Sequence, residues 1–173
     1  VTGTNTNNKT HKTSVSYLVG QNFISVNTNR TSPSLQFVVD NTTYNSAKLF
    51  TWNLNTQHTL AAISPQTYAS TRYVFNNWSN NGDSSQTITV GTATSNYTVF
   101  YRTQFKLITN FTPSNLPVSI TAGNLFHDSS ATVTMSPNPF QLTFNGKEYY
   151  FQRWNGTGNG SYSGTNPTVN LTM

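Results

Sequence analysis

The sequence has no cysteine, few charged residues and no long apolar run. Without cysteine, the 173-residue chain can form neither a disulfide framework nor a thiol-based site. No stretch of about 18 apolar residues occurs, so the sequence predicts no membrane-spanning helix. Only 8% of the residues are charged, while 13% are aromatic. Because disordered chains usually combine high charge with few aromatic residues, these proportions predict a folded protein.

Acidic residues are especially scarce. Four Asp and Glu stand against nine Lys and Arg, which gives a formal net charge of +5. The basic residues are scattered from Lys9 to Arg153 without a cluster. A nucleic-acid-binding protein would concentrate them on one surface, so we expect no nucleic-acid partner. Acid unfolding works mainly by protonating paired carboxylates, and a chain with so few of them is suited to an acidic exterior.

Residues that could support catalysis or metal binding form no recognisable pattern. His11, His58 and His127 lack metal-ligand spacing and have no paired acids nearby. The sequence contains no nucleophile-elbow, metalloprotease or phosphate-loop motif. We therefore expect no enzymatic activity and no cofactor.

The sequence does contain short strand patterns separated by turn residues. Val, Thr, Tyr and Phe, which favour strands, alternate with polar residues, and Asn, Ser, Gly or Pro separates these runs. Asn145-Gly146 is a strong signal for a two-residue hairpin. Short strands at this spacing predict an all-β fold, an antiparallel Ig-like or pilin-like β-sandwich.

The two halves of the chain share an aromatic motif. Residues 73–78, YVFNNW, and residues 149–154, YYFQRW, both follow the pattern Y-x-F-x-x-W. Upstream of the motif, the same comparison places Leu60 opposite Leu142. The sequence therefore predicts a sandwich that is built from two similar halves.

The second half has no counterpart for one strand of the first. Residues 87–90 match residues 168–171, and only residues 87–90 are followed by a further strand, at 97–108. Residues 15–26 resemble that strand in the spacing of their apolar side chains. We therefore expect three regions: a tail at 1–26 with a donor strand at 13–26, a first sandwich repeat at 27–109, and a second repeat at 110–173 that lacks its last strand.

A sheet that lacks a strand exposes unpaired backbone groups and an apolar groove. We expect a neighbouring subunit to insert its N-terminal strand there, a head-to-tail contact that propagates as a fibre. The expected donor residues are Val15, Tyr17, Leu18, Val19 and Phe23, and the expected acceptor residues are Val169, Leu171, Met173, Phe151 and Trp154. Two alternatives compete: the strand folds back to complete its own second half, or the chain is a slice of a longer array.

The repeat YVFNNWS, followed by YTVFYRTQF, resembles β-sandwich repeats of secreted prokaryotic surface proteins. The cysteine-free composition, rich in Asn, Thr, Ser and Tyr, resembles that of extracellular proteins of thermoacidophilic archaea. With its spare N-terminal strand, the chain is similar to the subunits of archaeal thread filaments of Sulfolobus type. The resemblance implies an extracellular, N-glycosylated homopolymer at the cell surface that serves adhesion or cell-cell contact. Polysaccharide or neighbouring cells would be further partners. The chain departs from type IV pilins, because it lacks their long apolar N-terminal helix.

Candidate N-glycosylation sites follow the pattern N-x-S/T. A sequence so rich in these residues generates most such matches by chance, so the motif alone is a weak signal. The matches are Asn8, Asn29, Asn41, Asn77, Asn96, Asn110, Asn155, Asn159 and Asn170.

The alternative function is a carbohydrate-binding or other accessory β-sandwich module of a secreted surface protein. Trp52, Trp78 and Trp154 could stack on sugar rings. The placement of Trp78 and Trp154 at equivalent positions of the repeat instead favours core packing.

Overall fold

The computed structural model describes residues 2–4, 10–12, 14 and 20–173, with the backbone alone for residues 2–4 and 10–12. All helix or strand structure in this part of the chain is strand, so the all-β prediction is confirmed. The strands are β1 (Thr2–Thr4), β2 (Thr10–Lys12), β3 (Gln21–Thr28), β4 (Phe37–Val39), β5 (Thr42–Tyr44), β6 (Lys48–Asn53), β7 (Gln57–Ala62), β8 (Gln66–Tyr68), β9 (Thr71–Trp78), β10 (Ser85–Thr89), β11 (Ser95–Lys106), β12 (Ser119–Ile120), β13 (Phe126–Asp128), β14 (Thr132–Met135), β15 (Pro137–Asn138), β16 (Gln141–Phe144), β17 (Lys147–Tyr150) and β18 (Val169–Thr172).

Strands β3 to β11 form a sandwich of two sheets. One sheet has the order β10-β7-β4-β5 and is antiparallel. The other has the order β6-β3-β11-β9-β8 and includes one parallel pair, β3 with β11. Side chains from both sheets meet in a core that includes Phe37, Leu60 and Trp78, all fully buried. This core follows from the alternation of apolar and polar residues along each strand.

Strand β3 belongs to the first sandwich, which corrects the expected domain boundary between residues 26 and 27. β3 pairs with β6 on one side and with β11 on the other, and Ile24 and Val26 are buried in the core. Residues 21–26 of the expected donor strand therefore complete the protein's own sheet. Residues 15–26 resemble residues 97–108 partly because β3 and β11 are neighbours that present alternating apolar side chains to one core.

The N-terminal tail contains a hairpin. Strands β1 and β2 pair in antiparallel fashion, with Thr2 opposite Lys12, and form a two-stranded sheet. Residues 5–9 between them and residues 15–19 after them lie outside the described residues.

The second half contains three two-stranded sheets: β12 with β15, β14 with β18, and β16 with β17. It joins the first sandwich through β13, which pairs with the last residues of β11. At this joint the Gln104 side chain is buried, accepts two hydrogen bonds from Arg72 at 2.8 and 2.6 Å, and donates one to Asp128 at 2.7 Å. The end of β11 that carries Lys106 therefore lies against the second half.

Strand pairing relates the two halves. In the first half β7 pairs with β10, and the hairpin β8-β9 lies between them in the chain. In the second half β14 pairs with β18 around the hairpin β16-β17 in the same way. The register corrects one detail of the sequence comparison. Gln66 pairs with Tyr73 as Leu142 pairs with Tyr149, so the counterpart of Leu142 is Gln66 rather than Leu60.

Candidate functional site: an open groove in the second half

The spacing Y-x-F-x-x-W marks a β-bulge in the first half. On β9, Phe75 pairs with Tyr101 and Trp78 pairs with Val99, which leaves Asn76 as the extra residue between them. Because a bulge adds one residue, Trp78 returns to the face of the strand that Phe75 occupies. Trp78 is completely buried there, beneath a sheet in which β11 runs along the motif.

The second copy of the motif has the same spacing but no such strand beside it. β17 ends at Tyr150 and pairs with β16, and within the described residues no strand runs along its other edge. The Phe151 amide donates to the Phe140 carbonyl at 2.8 Å. Trp154 exchanges two backbone hydrogen bonds with Gly164, at 2.7 and 3.2 Å.

An open groove of about 690 Å³ lies along this second motif. Its apolar walls come from three segments of the chain. They are Phe111, Leu116, Val118 and Ile120; Pro137, Pro139, Phe140 and Leu142; and Tyr149, Tyr150, Phe151 and Trp154.

The second half buries fewer apolar side chains than the first. Among the described residues, twelve buried hydrophobic side chains lie between Ile24 and Tyr101, and four lie between Val133 and Leu171. At the groove, the exposed fractions of Phe140 and Tyr150 are 61% and 57%. Contiguous exposed apolar surface of this kind commonly marks an interaction site.

Polar groups border the groove. Glu148 and Arg153 contribute one charge of each sign, and Asn110 and Asn155 contribute amides. The Tyr150 hydroxyl donates a hydrogen bond to Glu148, which raises the pKa of that hydroxyl. An extended segment with alternating apolar and polar side chains matches this arrangement, because one face would enter the groove and the other would face solvent.

The structure divides the five expected acceptor residues. Phe151 and Trp154 line the groove with their ring centroids 5.3 Å apart. Val169 and Leu171 on β18 are each 8% exposed and pair with β14, so they form a small core behind the groove. Trp154 packs against that core and links the two sets. Met173 is half-buried at the end of the chain described here.

The expected donor residues are also divided. Phe23 lies on β3 opposite Thr51, and its side chain is 42% exposed on the outer face of the sheet. Phe23 therefore belongs to a strand of the first sandwich, a position that does not suit the role of donor residue. Val15 and the segment 17–19 lie outside the described residues.

Several groove residues escaped the sequence analysis. Leu116, Val118 and Ile120 alternate with exposed neighbours, a period-two pattern that is visible in the sequence. That pattern predicts a strand, and part of it forms β12. It does not reveal that these side chains face the aromatic motif some thirty residues later in the chain.

The described sequons differ in exposure. Asn77 on β9 is half-buried and donates its side-chain amide to the Trp78 carbonyl at 3.0 Å. The other described sequon asparagines are exposed, namely Asn29, Asn41, Asn96, Asn110, Asn155, Asn159 and Asn170, and Asn8 lies outside the described residues. Exposure is a requirement for a bulky glycan, so Asn77 is the least suitable of the described sites.

The three tryptophans differ in how far packing encloses them. Trp78 is fully buried, and Trp52 stacks on His58 with ring centroids 3.6 Å apart and on Phe50 at 4.7 Å. Trp154, at the groove, is the tryptophan in a position to meet a ligand.

No helix in the described part of the chain is long and apolar enough to cross a membrane. The described residues also contain no group of three or more His, Asp or Glu side chains arranged to hold a metal ion. No family model matches the sequence, and the comparisons with curated proteins and with solved structures found no match.

Proposed function

We propose that the protein is the structural subunit of an extracellular filament, in which the N-terminal segment of one copy fills the second-half groove of the next. One observation carries this proposal. The second copy of the aromatic motif lines an open apolar groove, and no strand among the described residues accompanies it as β11 accompanies the first copy. An added strand gains affinity from backbone hydrogen bonds and specificity from alternate side chains.

The direction of β3 supports a donor from another copy. Ser95 at the start of β11 pairs with Ile24 in a parallel register, and the Gly20 carbonyl accepts a hydrogen bond from Leu54 at 2.7 Å. Gly20 therefore lies near the start of β11, whereas the second half lies against the end of β11. The twelve residues of β11 span roughly 35 Å at about 3.3 Å per residue.

This separation disfavours insertion into the same molecule. Residue 15 is five residues from Gly20 and can reach at most about 18 Å from it. We therefore propose that the segment 15–19 fills the groove of another copy rather than the groove of its own chain. A contact between the tail of one copy and the groove of the next is heterologous, so it repeats head to tail and forms a fibre.

The surface of the described residues fits a filament exposed to the medium. Most of the described sequons are exposed, which is where N-glycans are tolerated. We propose that such glycans coat the filament and that it serves adhesion or cell-cell contact. An intact mass close to the 19.2 kDa of the bare chain, measured on protein from its native source, would contradict the glycan coat.

Electron microscopy of the purified chain tests the filament. The full chain is expected to form filaments, and a chain without residues 1–19 is expected to remain monomeric, since it retains β3 and both halves. A chain without residues 1–12 is the matched control and should still polymerise. Filaments from the chain that lacks residues 1–19, or a full chain that stays monomeric under all assembly conditions, would refute the proposal.

The groove also suggests a second candidate, a carbohydrate-binding module. Trp154 is accessible there beside Phe151 and polar rim residues, an arrangement that can stack on a sugar ring. Binding of a polysaccharide by a monomeric full chain, lost on Trp154→Ala and retained on Trp52→Ala, would favour this candidate over the filament.

A further inference from the structure

We infer that the inserted segment runs antiparallel to β17, with Val19 opposite Tyr149 and Tyr17 opposite Phe151. This inference rests on the proposed function and specifies its interface. It assigns the segment's orientation and register, which the likeness between residues 15–26 and 97–108 does not settle.

The first half supplies the orientation. β11 runs antiparallel to β9, with Thr103 opposite Tyr73 and Tyr101 opposite Phe75. The second motif has the same residue spacing, so a strand in the equivalent place would also be antiparallel and would face it with every second side chain. The inward residues of the segment are then the odd-numbered ones, because Val15, Tyr17 and Val19 carry the apolar alternation.

The apolar side chains of the segment must face the groove, and a shift of one residue would turn them outward. The possible registers of the segment against β17 therefore differ from one another by two residues. The sequence comparison places Tyr17 at the position of Val99, opposite Trp154. That register would require Gln21 opposite Tyr149, but Gln21 is already paired with Asn53 in the donor's own β3. It would therefore leave Tyr149 without a partner.

A shift by two residues removes this conflict. Tyr17 then takes the place of Tyr101, opposite Phe151, so the same residue type occupies this position in both halves. Val19 faces Tyr149. The shift in the opposite direction would place Val19 at Trp154 and would leave both Phe151 and Tyr149 uncovered.

Local backbone geometry agrees with a segment that ends at residue 19. Gly20 has a φ of +80°, in the left-handed region that favours glycine, and an added Cβ would meet no atom within 4 Å. The chain can therefore turn at Gly20 between the inserted segment and β3. At the other end of the groove, the backbone of Trp154 is already bonded to Gly164, so the edge open to new ladder bonds is the stretch 149–153.

Disulfide trapping tests this register cleanly, because the natural chain has no cysteine. A chain with Val19→Cys is mixed with a chain with Tyr149→Cys, allowed to assemble and then mildly oxidised. Directly opposite residues in an antiparallel pair have Cα atoms about 4.5–5.5 Å apart, which suits a disulfide. The matched control replaces the second chain by one with Phe151→Cys, which tests the register slipped by two residues.

The mixture of Val19→Cys with Tyr149→Cys should give on the order of tenfold more disulfide-linked heterodimer than the control, because a two-residue slip separates the Cα atoms beyond disulfide range. The pair Tyr17→Cys with Phe151→Cys reports the same register if a Tyr149 variant fails to fold. A dominant cross-link between Val19→Cys and Phe151→Cys would overturn the register. Filaments that give no cross-link with any pair would overturn the assignment of the segment. Absence of filaments from the unmodified chain would instead refute the proposed function.

Discussion

The two tryptophans of the repeated motif should respond differently to the same substitution. Trp78→Ala and Trp154→Ala each remove the last residue of Y-x-F-x-x-W, one from a closed sandwich and one from an open groove. The comparison is made in a chain without residues 1–19, so that assembly does not contribute to the measured stability.

The expected costs follow from burial. Trp78 is 0% exposed, so its truncation loses the full transfer free energy and leaves a cavity, a cost of about 3–5 kcal/mol. Trp154 is half-buried at the edge of a groove that is already open to water. Its truncation should therefore cost less, about 2 kcal/mol, in proportion to the smaller apolar area returned to solvent and without a new enclosed cavity.

Urea denaturation, followed by circular dichroism, measures both free energies of unfolding. Tyr73→Ala and Tyr149→Ala repeat the comparison at the first motif position, where Tyr73 is 6% exposed and Tyr149 is half-buried. If Trp154→Ala destabilised the truncated chain as much as Trp78→Ala, the second half would already possess a closed core. In that case the groove would need no added strand, and the reasoning behind the proposed function would fail.

Three further predictions concern the joint and the ionisable groups. Gln104→Ala should lower the free energy of unfolding in urea by about 2–3 kcal/mol, because the buried amide is hydrogen-bonded to Arg72 on one side and to Asp128 on the other. A change below about 0.5 kcal/mol would show that these hydrogen bonds do not stabilise the joint. Burial alone would raise the pKa of Asp40, but hydrogen bonds from His58 and from the backbone of Thr59 lower this pKa overall. The ionised carboxylate therefore stabilises the folded chain above the ordinary carboxyl pKa of about 3.9, and this stabilisation is lost as the pH falls through the lower pKa of the folded state. Because the Asp40 side chain is 46% exposed, Asp40→Asn should reduce the melting temperature slightly at neutral pH and not at about pH 2, and equal effects at both would contradict this linkage. Burial raises the pKa of Tyr101 to about 12, so the contribution of its neutral hydroxyl to stability is complete below about pH 10 and is lost as the pH rises towards 12. Tyr101→Phe should therefore reduce the fall of the melting temperature between about pH 10 and 12. An unchanged dependence of the melting temperature on pH would refute this.

Local patterns in the sequence predicted much of the fold. Alternation of apolar and polar residues identified the strands, and Asn145-Gly146 marked the hairpin between β16 and β17, where both residues have positive φ. The repeat of Y-x-F-x-x-W indicated two related halves, and the structure explains its spacing by the bulge at Asn76. These features depend on neighbours in the chain, which the sequence displays directly.

Features that depend on long-range pairing were not predictable in the same way. Residues 15–26 and 97–108 look alike, and the sequence does not distinguish strands that are equivalent in two repeats from strands that are neighbours in one sheet. For that reason Phe23 was assigned to a donor strand although β3 is paired on both sides. Likewise, the alternation at Leu116 and Val118 is visible, but their meeting with Phe151 across a groove results from tertiary packing.

The most direct test of the account is a titration of the groove with the segment itself. A peptide of residues 13–20 is added to the chain without residues 1–19, and the melting temperature and tryptophan fluorescence are followed. Saturable binding is expected, with a stabilisation of about 2.7 kcal/mol at a peptide concentration of 100 times Kd. The effect should disappear with a peptide carrying Tyr17→Asp and with a chain carrying Phe151→Asp. No stabilisation by excess peptide, or equal binding by the Tyr17→Asp peptide, would contradict the central claim that this segment completes the second half of another copy.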